Sequence, residues 1–128
     1  MKHIKYILFV VTFIIIGCES KPKYENIIMV DSEEMKALLN EEEVQLVDVR
    51  TVEEFSEHYI PGAENIVFDD NFDLKLDNLN KEKPVVVYCR KGRRSKKCAE
   101  ILSEKGFVKI YDLKGGITQW MKEGHAVK

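Results

Sequence analysis

What the chain lacks narrows its reading at once. It has three cysteines, three prolines and one tryptophan among 128 residues. The cysteines, Cys18, Cys89 and Cys98, form no C-x-x-C pair. A disulfide framework of the kind that staples small secreted domains is therefore excluded; an exported Cys89–Cys98 pair amounts to one bridge at most. Histidine is scarce, with only His58 and His125 beyond His3, so zinc has no ligand set and no metal or other cofactor is expected. Positive charge is not in excess: the formal net charge is −2. Nucleic acid is a poor partner for such a chain, because phosphate binding needs a net basic face. No apolar run reaches the roughly 20 residues of a spanning helix. The run from Tyr6 to Ile16 is shorter and is broken by Thr12.

What is present begins with an export signature. Lys2 and Lys5, the apolar run and Gly17 before Cys18 follow the order of a signal peptide. Ile15-Ile16-Gly17-Cys18 resembles a bacterial lipobox, with isoleucines where leucine and a small residue are usual. The resemblance implies lipidation of Cys18 and an exported protein anchored to a bacterial membrane, on the cell surface or the periplasmic side. Several acyl chains would hold it firmly. Residues 1–18 are then the signal with its lipidated end. Residues 19–26, "ESKPKYEN", read as a polar tether, and 27–128 as one domain with its own core.

Within that domain, strands and helices alternate. Apolar runs predict strands at 27–30, 44–49, 65–68, 85–88 and 108–111. Ser32 caps a helix through about Asn40, and Thr51 with Glu54 forms a capping box for a short helix to about Glu57. A longer helix is predicted over 95–105 and a last one around Ile117, Trp120 and Met121, closing at Gly124; Met35 and Met121 are expected in the core. Pro61-Gly62 marks a turn, and 69–82 reads as a loop with a weak helical turn. Such alternation predicts an α/β fold with an open, mostly parallel five-stranded sheet and helices on both faces. Its functional cleft lies beyond the carboxyl ends of the strands.

Cys89 falls at that end, after the fully apolar strand "VVVY" and before a helix. Behind it stand Arg90, Lys91, Gly92, Arg93, Arg94 and Ser95. A tight strand-to-helix turn directs successive N–H groups inward and favours an anion. Cations normally avoid the positive end of a helix dipole. Their crowding here marks a local anion site on an acidic protein, where a thiol should ionise more readily than free cysteine.

The segments "CRKGRRS" (89–95), "LVDVR" (46–50), "EEFSEHYIPGAENI" (53–66) and "LKGGITQW" (113–120) together resemble single-domain rhodanese-like sulfurtransferases. The likeness spans about residues 27 to 124. It implies that Cys89 is the nucleophile that becomes a persulfide, with the amides of 90–94 around the transferred sulfur. It further implies that Arg90 and Arg94 hold the donor's anionic end, with Lys91 and Arg93 on the rim. Asp48 and Arg50 match residues that brace the site in that family. The expected partners are a small anionic sulfur donor and a thiol or cyanide acceptor, and the protein is expected to be a monomer. His58-Tyr59 stand where Gly-His is usual. An inactive rhodanese-like binding module, a Cys89/Cys98 thiol redox protein and a related phosphatase or arsenate reductase are the alternatives. The phosphatase class carries its arginine six positions after the cysteine, where Ser95 stands here.

Overall fold

The computed structural model describes residues 17–41 and 43–128; the charged and apolar regions of the expected export signal lie outside the described residues. Five strands form one sheet: β1 (Ile27–Val30), β2 (Gln45–Asp48), β3 (Glu64–Asn65), β4 (Val85–Tyr88) and β5 (Ile110–Leu113). Their order is β1-β5-β4-β2-β3, and every pairing is parallel. Central β4 is buried at all four positions, which explains its unbroken apolar sequence: both faces of the strand meet helices.

Alternation along the strands sorts two cores. Val47, Val85, Val87 and Ile110 pack against α3 (Arg93–Glu104), through Cys98, Ala99 and Leu102, and against Phe72 of a short 3₁₀ turn. Leu46, Val86, Tyr88 and Leu113 pack on the other side. There they meet Met35 of α1 (Ser32–Glu41) and Ile117 and Trp120 of α4 (Gly116–Lys122). The fifth helix-like piece, α2 (Val52–Glu57), buries no residue; the capping box of Thr51 and Glu54 holds its start.

Several boundaries differ from those read in the sequence. The strand predicted at 65–68 is only Glu64–Asn65, because beyond β2 the N–H groups of Ile66 and Phe68 go to the Asp48 and Val49 carbonyls in a diverging segment. The strand predicted at 108–111 is displaced to Ile110–Leu113. There Phe107 and Val108 donate instead to Leu102 and Lys81, closing the turn after α3. Helix α3 starts two residues early, at Arg93, with Gly92 at φ 106° supplying the left-handed turn into it. Met121 lies on the exposed side of α4, not in the core. Within the segment read as a tether, Tyr24 donates to Glu104 and Asn26 to the Phe107 carbonyl, so these residues lie against the turn after α3. Among the described residues no helix is long and apolar enough to cross a membrane.

Candidate active site

Cys89 sits one residue beyond β4, where the chain leaves the sheet and curls into α3. The Gly92 N–H donates to Cys89 Sγ at 3.0 Å. The Ser95 hydroxyl lies 3.5 Å from the same sulfur and donates to the Gly92 carbonyl at 3.2 Å. The first-turn N–H groups of α3 have no partner within the helix. Arg90, Lys91 and Arg93 are exposed at the rim. The sulfur itself is not: Cys89 is 1 % exposed. The loop closes over it, and this burial was not foreseen from the sequence.

The loop is held from behind by α4. Ile117 N–H donates to the Cys89 carbonyl at 2.9 Å, and Thr118 N–H to the Arg90 carbonyl at 3.1 Å. Gly116, with φ +59°, leaves the required space: a Cβ there would stand 2.4 Å from the Cys89 oxygen and 2.5 Å from the Arg90 oxygen. Carbonyls drawn outward in this way leave the opposite ends of the same peptides for the sulfur.

Asp48 and Arg50 lie on the other face of the sheet, 0 % and 2 % exposed, with Arg50 Nη2 2.7 Å from Asp48 Oδ2. Arg50 also donates to the His58 carbonyl at 2.6 Å. The Tyr88 hydroxyl accepts from Ile60 N–H at 3.1 Å, and burial, with Asp48 beside it, pushes the phenol far up. This network ties β2, the His58–Ile60 segment and the end of β4 together beneath Cys89. Arg94 departs from the expected donor-binding role. It makes a two-pronged ion pair with Glu54, at 2.7 and 3.0 Å. Chiefly through the Arg94 hydrogen bonds, the Glu54 carboxyl is held down to about 2.

With the site assembled, its relatives decide the family. The rhodanese-like domain profile matches residues 31–123. The chain belongs to the rhodanese-like family. This rhodanese-like chain is 33% identical over 96 residues to a sulfurtransferase of Allochromatium vinosum, covering 74% of this chain and 89% of that protein. It is 32% identical over 85 residues to a thiosulfate sulfurtransferase of Glaesserella parasuis, covering 66% of this chain and 78% of that one. A rhodanese-related protein from Thermoplasma volcanium has the same fold, with a TM-score of 0.70 at 27% identity, covering 78% of this chain and 96% of that chain. These likenesses support a sulfur-transfer role in general terms.

The rhodanese-like fold thus brings together Cys89, Gly92 and Ser95 and leaves Arg90, Lys91 and Arg93 as a cationic rim. Two contributors escaped the sequence reading. Glu54 appeared only as a capping residue, since nothing local links it to Arg94 forty residues away. Gly116 stood only within the segment "LKGGITQW", although its lack of a side chain is what lets α4 approach the loop. Cys98, 0 % exposed, sits in the core, and burial pushes its thiol far up. Cys18 is exposed and unpaired.

Proposed function

We propose that the protein carries a sulfane sulfur on Cys89, taking it from a small anionic donor such as thiosulfate and passing it to a thiol or cyanide. The observation that carries this reading is the Gly92 N–H on Cys89 Sγ at 3.0 Å inside a rim of Arg90, Lys91 and Arg93. A hydrogen bond to sulfur favours its anion, and the rim draws an anionic donor. The Cys89 thiolate attacks the outer sulfur of thiosulfate; a new S–S bond forms, the donor's S–S bond breaks, and sulfite leaves with the electron pair. The acceptor anion then attacks the outer sulfur of the persulfide and returns Cys89 as thiolate. Neither step needs a proton donor, which suits a loop with no acid beside the sulfur among the described residues. Ser95 and the loop amides hold the transferred sulfur, while Asp48 and Arg50 keep β2 in place below.

The test is intact mass after incubation with thiosulfate. One added sulfur on Cys89, removed by cyanide and absent in Cys89→Ser, is expected; no addition overturns the reading. For location, we propose export and lipid anchoring through Cys18. Membrane fractionation of the full chain expressed in bacteria, with and without Cys18→Ser, tests this. The wild type is expected with the membrane and the variant free; equal distribution overturns the anchor.

A further inference from the structure

Helix cover runs out at the β1 edge of the sheet. Ile27 packs on the face that carries α3, and Met29, two residues on, shares that face yet stays 57 % exposed. Between this edge and α3 lies a cleft of about 240 Å³. Lys96 and Glu100, one turn apart on α3, form one bank. Tyr24 forms part of the other, its hydroxyl fixed 2.7 Å from Glu104. Drug-sized pockets run to roughly 300–1,000 Å³, so this one takes a smaller molecule.

Asp112 lines the cleft from within the sheet. It pairs with Met29 across the strands and shares the α3 face with Ile110. It is 2 % exposed, and its Oδ1 has no hydrogen-bond partner among the described residues. Ile110 is an ordinary core residue; a carboxylate at the next position on the same face is not, because a buried charge needs a partner. Burial accordingly pushes the carboxyl from 3.8 up to about 6. Neither nearby lysine closes on it. Lys23 Nζ lies over the Tyr24 ring, 5.0 Å from its centroid, and Lys96 acts on the carboxyl through its charge alone.

We propose that this cleft binds a small primary amine with an apolar body, the ammonium pairing with Asp112 and the body lying on Ile27, Met29 and Tyr24. The lining selects that class. An anion would meet Asp112 and Glu100. A wholly apolar guest would leave the carboxylate unpaired and exclude water from it. A metal ion would find one interior carboxylate, and no group of three ligating side chains is present among the described residues. An alkyl or aryl ammonium supplies both halves: a charge-assisted hydrogen bond to the carboxylate and apolar surface against the walls. The site stands apart from the sulfur chemistry. Ser95 keeps its hydroxyl beside Cys89, while Lys96, the next residue, borders the cleft.

The groups around Asp112 are uncharged on the sheet side, where β1 and β4 present Met29 and Val87 in register, with Cys89 beyond the end of β4. Helix α3 presents Lys96, Glu100 and Cys98, and the segment before β1 presents Lys23 and Tyr24. The test titrates benzylamine and benzyl alcohol, which differ in charge and little in shape, into the ¹⁵N-labelled full chain by NMR. Saturable shifts at Ile27, Met29, Lys96 and Asp112 are expected, with the amine bound about tenfold more tightly than the alcohol at pH 7.5. At pH 5 only about a tenth of the carboxyl is ionised, so amine affinity is expected to fall about tenfold while the alcohol holds level. Asp112→Asn is expected to cost the amine about tenfold at pH 7.5 and to leave the alcohol within about twofold, which also reports an intact cleft. Equal affinity for the two probes, amine binding indifferent to pH or to Asp112→Asn, or shifts confined to the Cys89 loop would each overturn the proposal. No sulfur donor enters the test, so its outcome is independent of whether thiosulfate loads Cys89.

Discussion

Arg94 reaches across forty residues to Glu54, closing a two-pronged ion pair that ties the start of α3 to the start of α2. The pair spends the charge of one arginine within the protein, leaving Arg90, Lys91 and Arg93 as the exposed cations of the loop. Glu54→Gln should release it. The expected result is a lower KM for thiosulfate by about threefold to tenfold at low salt, with the gain fading as salt rises; an unchanged KM rejects this role. Arg94 is 32% and Glu54 21% exposed, so solvent screening keeps the stability loss to roughly 0.5–1 kcal/mol. Because the Glu54 carboxyl is held down to about 2 from its ordinary 4.5, that contribution is complete above pH 4.5 and disappears as pH falls towards 2.

Gly116→Ala should be the most damaging single methyl in the chain. The added carbon meets the Cys89 and Arg90 carbonyl oxygens, and φ +59° is itself unfavourable for alanine. A destabilisation above about 2 kcal/mol is expected, with sulfur transfer falling further than the folded fraction does. Urea unfolding measured beside activity per folded molecule checks this. Activity that merely tracks the folded fraction would show that α4 supports the fold without shaping the loop.

Cys89→Ser should abolish sulfur transfer, whereas Cys98→Ala should retain most of it at a stability cost of about 1 kcal/mol. The contrast follows from placement. Cys98 is enclosed in the core, and burial keeps its thiol protonated, so it offers no resolving thiolate. Equal loss of transfer in both variants would move the protein to the redox class.

Asp112→Asn should stabilise the fold in a pH-dependent way. Burial pushes this carboxyl from 3.8 up to about 6, so the folded state keeps a proton that the unfolded chain has released. The cost of ionising it therefore accrues between about pH 4 and 6 and is complete above 6. The variant escapes it, gaining on the order of 2 kcal/mol at pH 7 and little near pH 4. Urea unfolding at the two pH values measures the difference; an equal effect at both would mean that asparagine merely packs differently.

The parts of this molecule written locally were legible in its sequence. The unbroken "VVVY" announced a doubly covered strand, the Thr51–Glu54 spacing announced a cap, and a cysteine between strand and helix with cations behind it announced the loop. What escaped depends on partners far apart in the chain. Arg94 looked available because its neighbours are all cations or small residues, and Glu54 enters only when α2 folds against the loop. Asp112 sits in an ordinary strand run, "IYDL", and only the register with β4 sets this carboxylate opposite Val87 in the interior. Strand ends shifted for a related reason: where β2 and β3 stop is decided by where their partners diverge.

The ring around Cys89 is made of backbone, its outward-facing oxygens anchored by α4, whereas the residues that greet a visitor are flexible side chains on the surface. Recognition and reaction are thus built from separate materials. If Cys89 carries sulfur as proposed, changes at positions 90, 91 and 93 should retune which molecules approach while leaving the backbone floor beneath the sulfur intact.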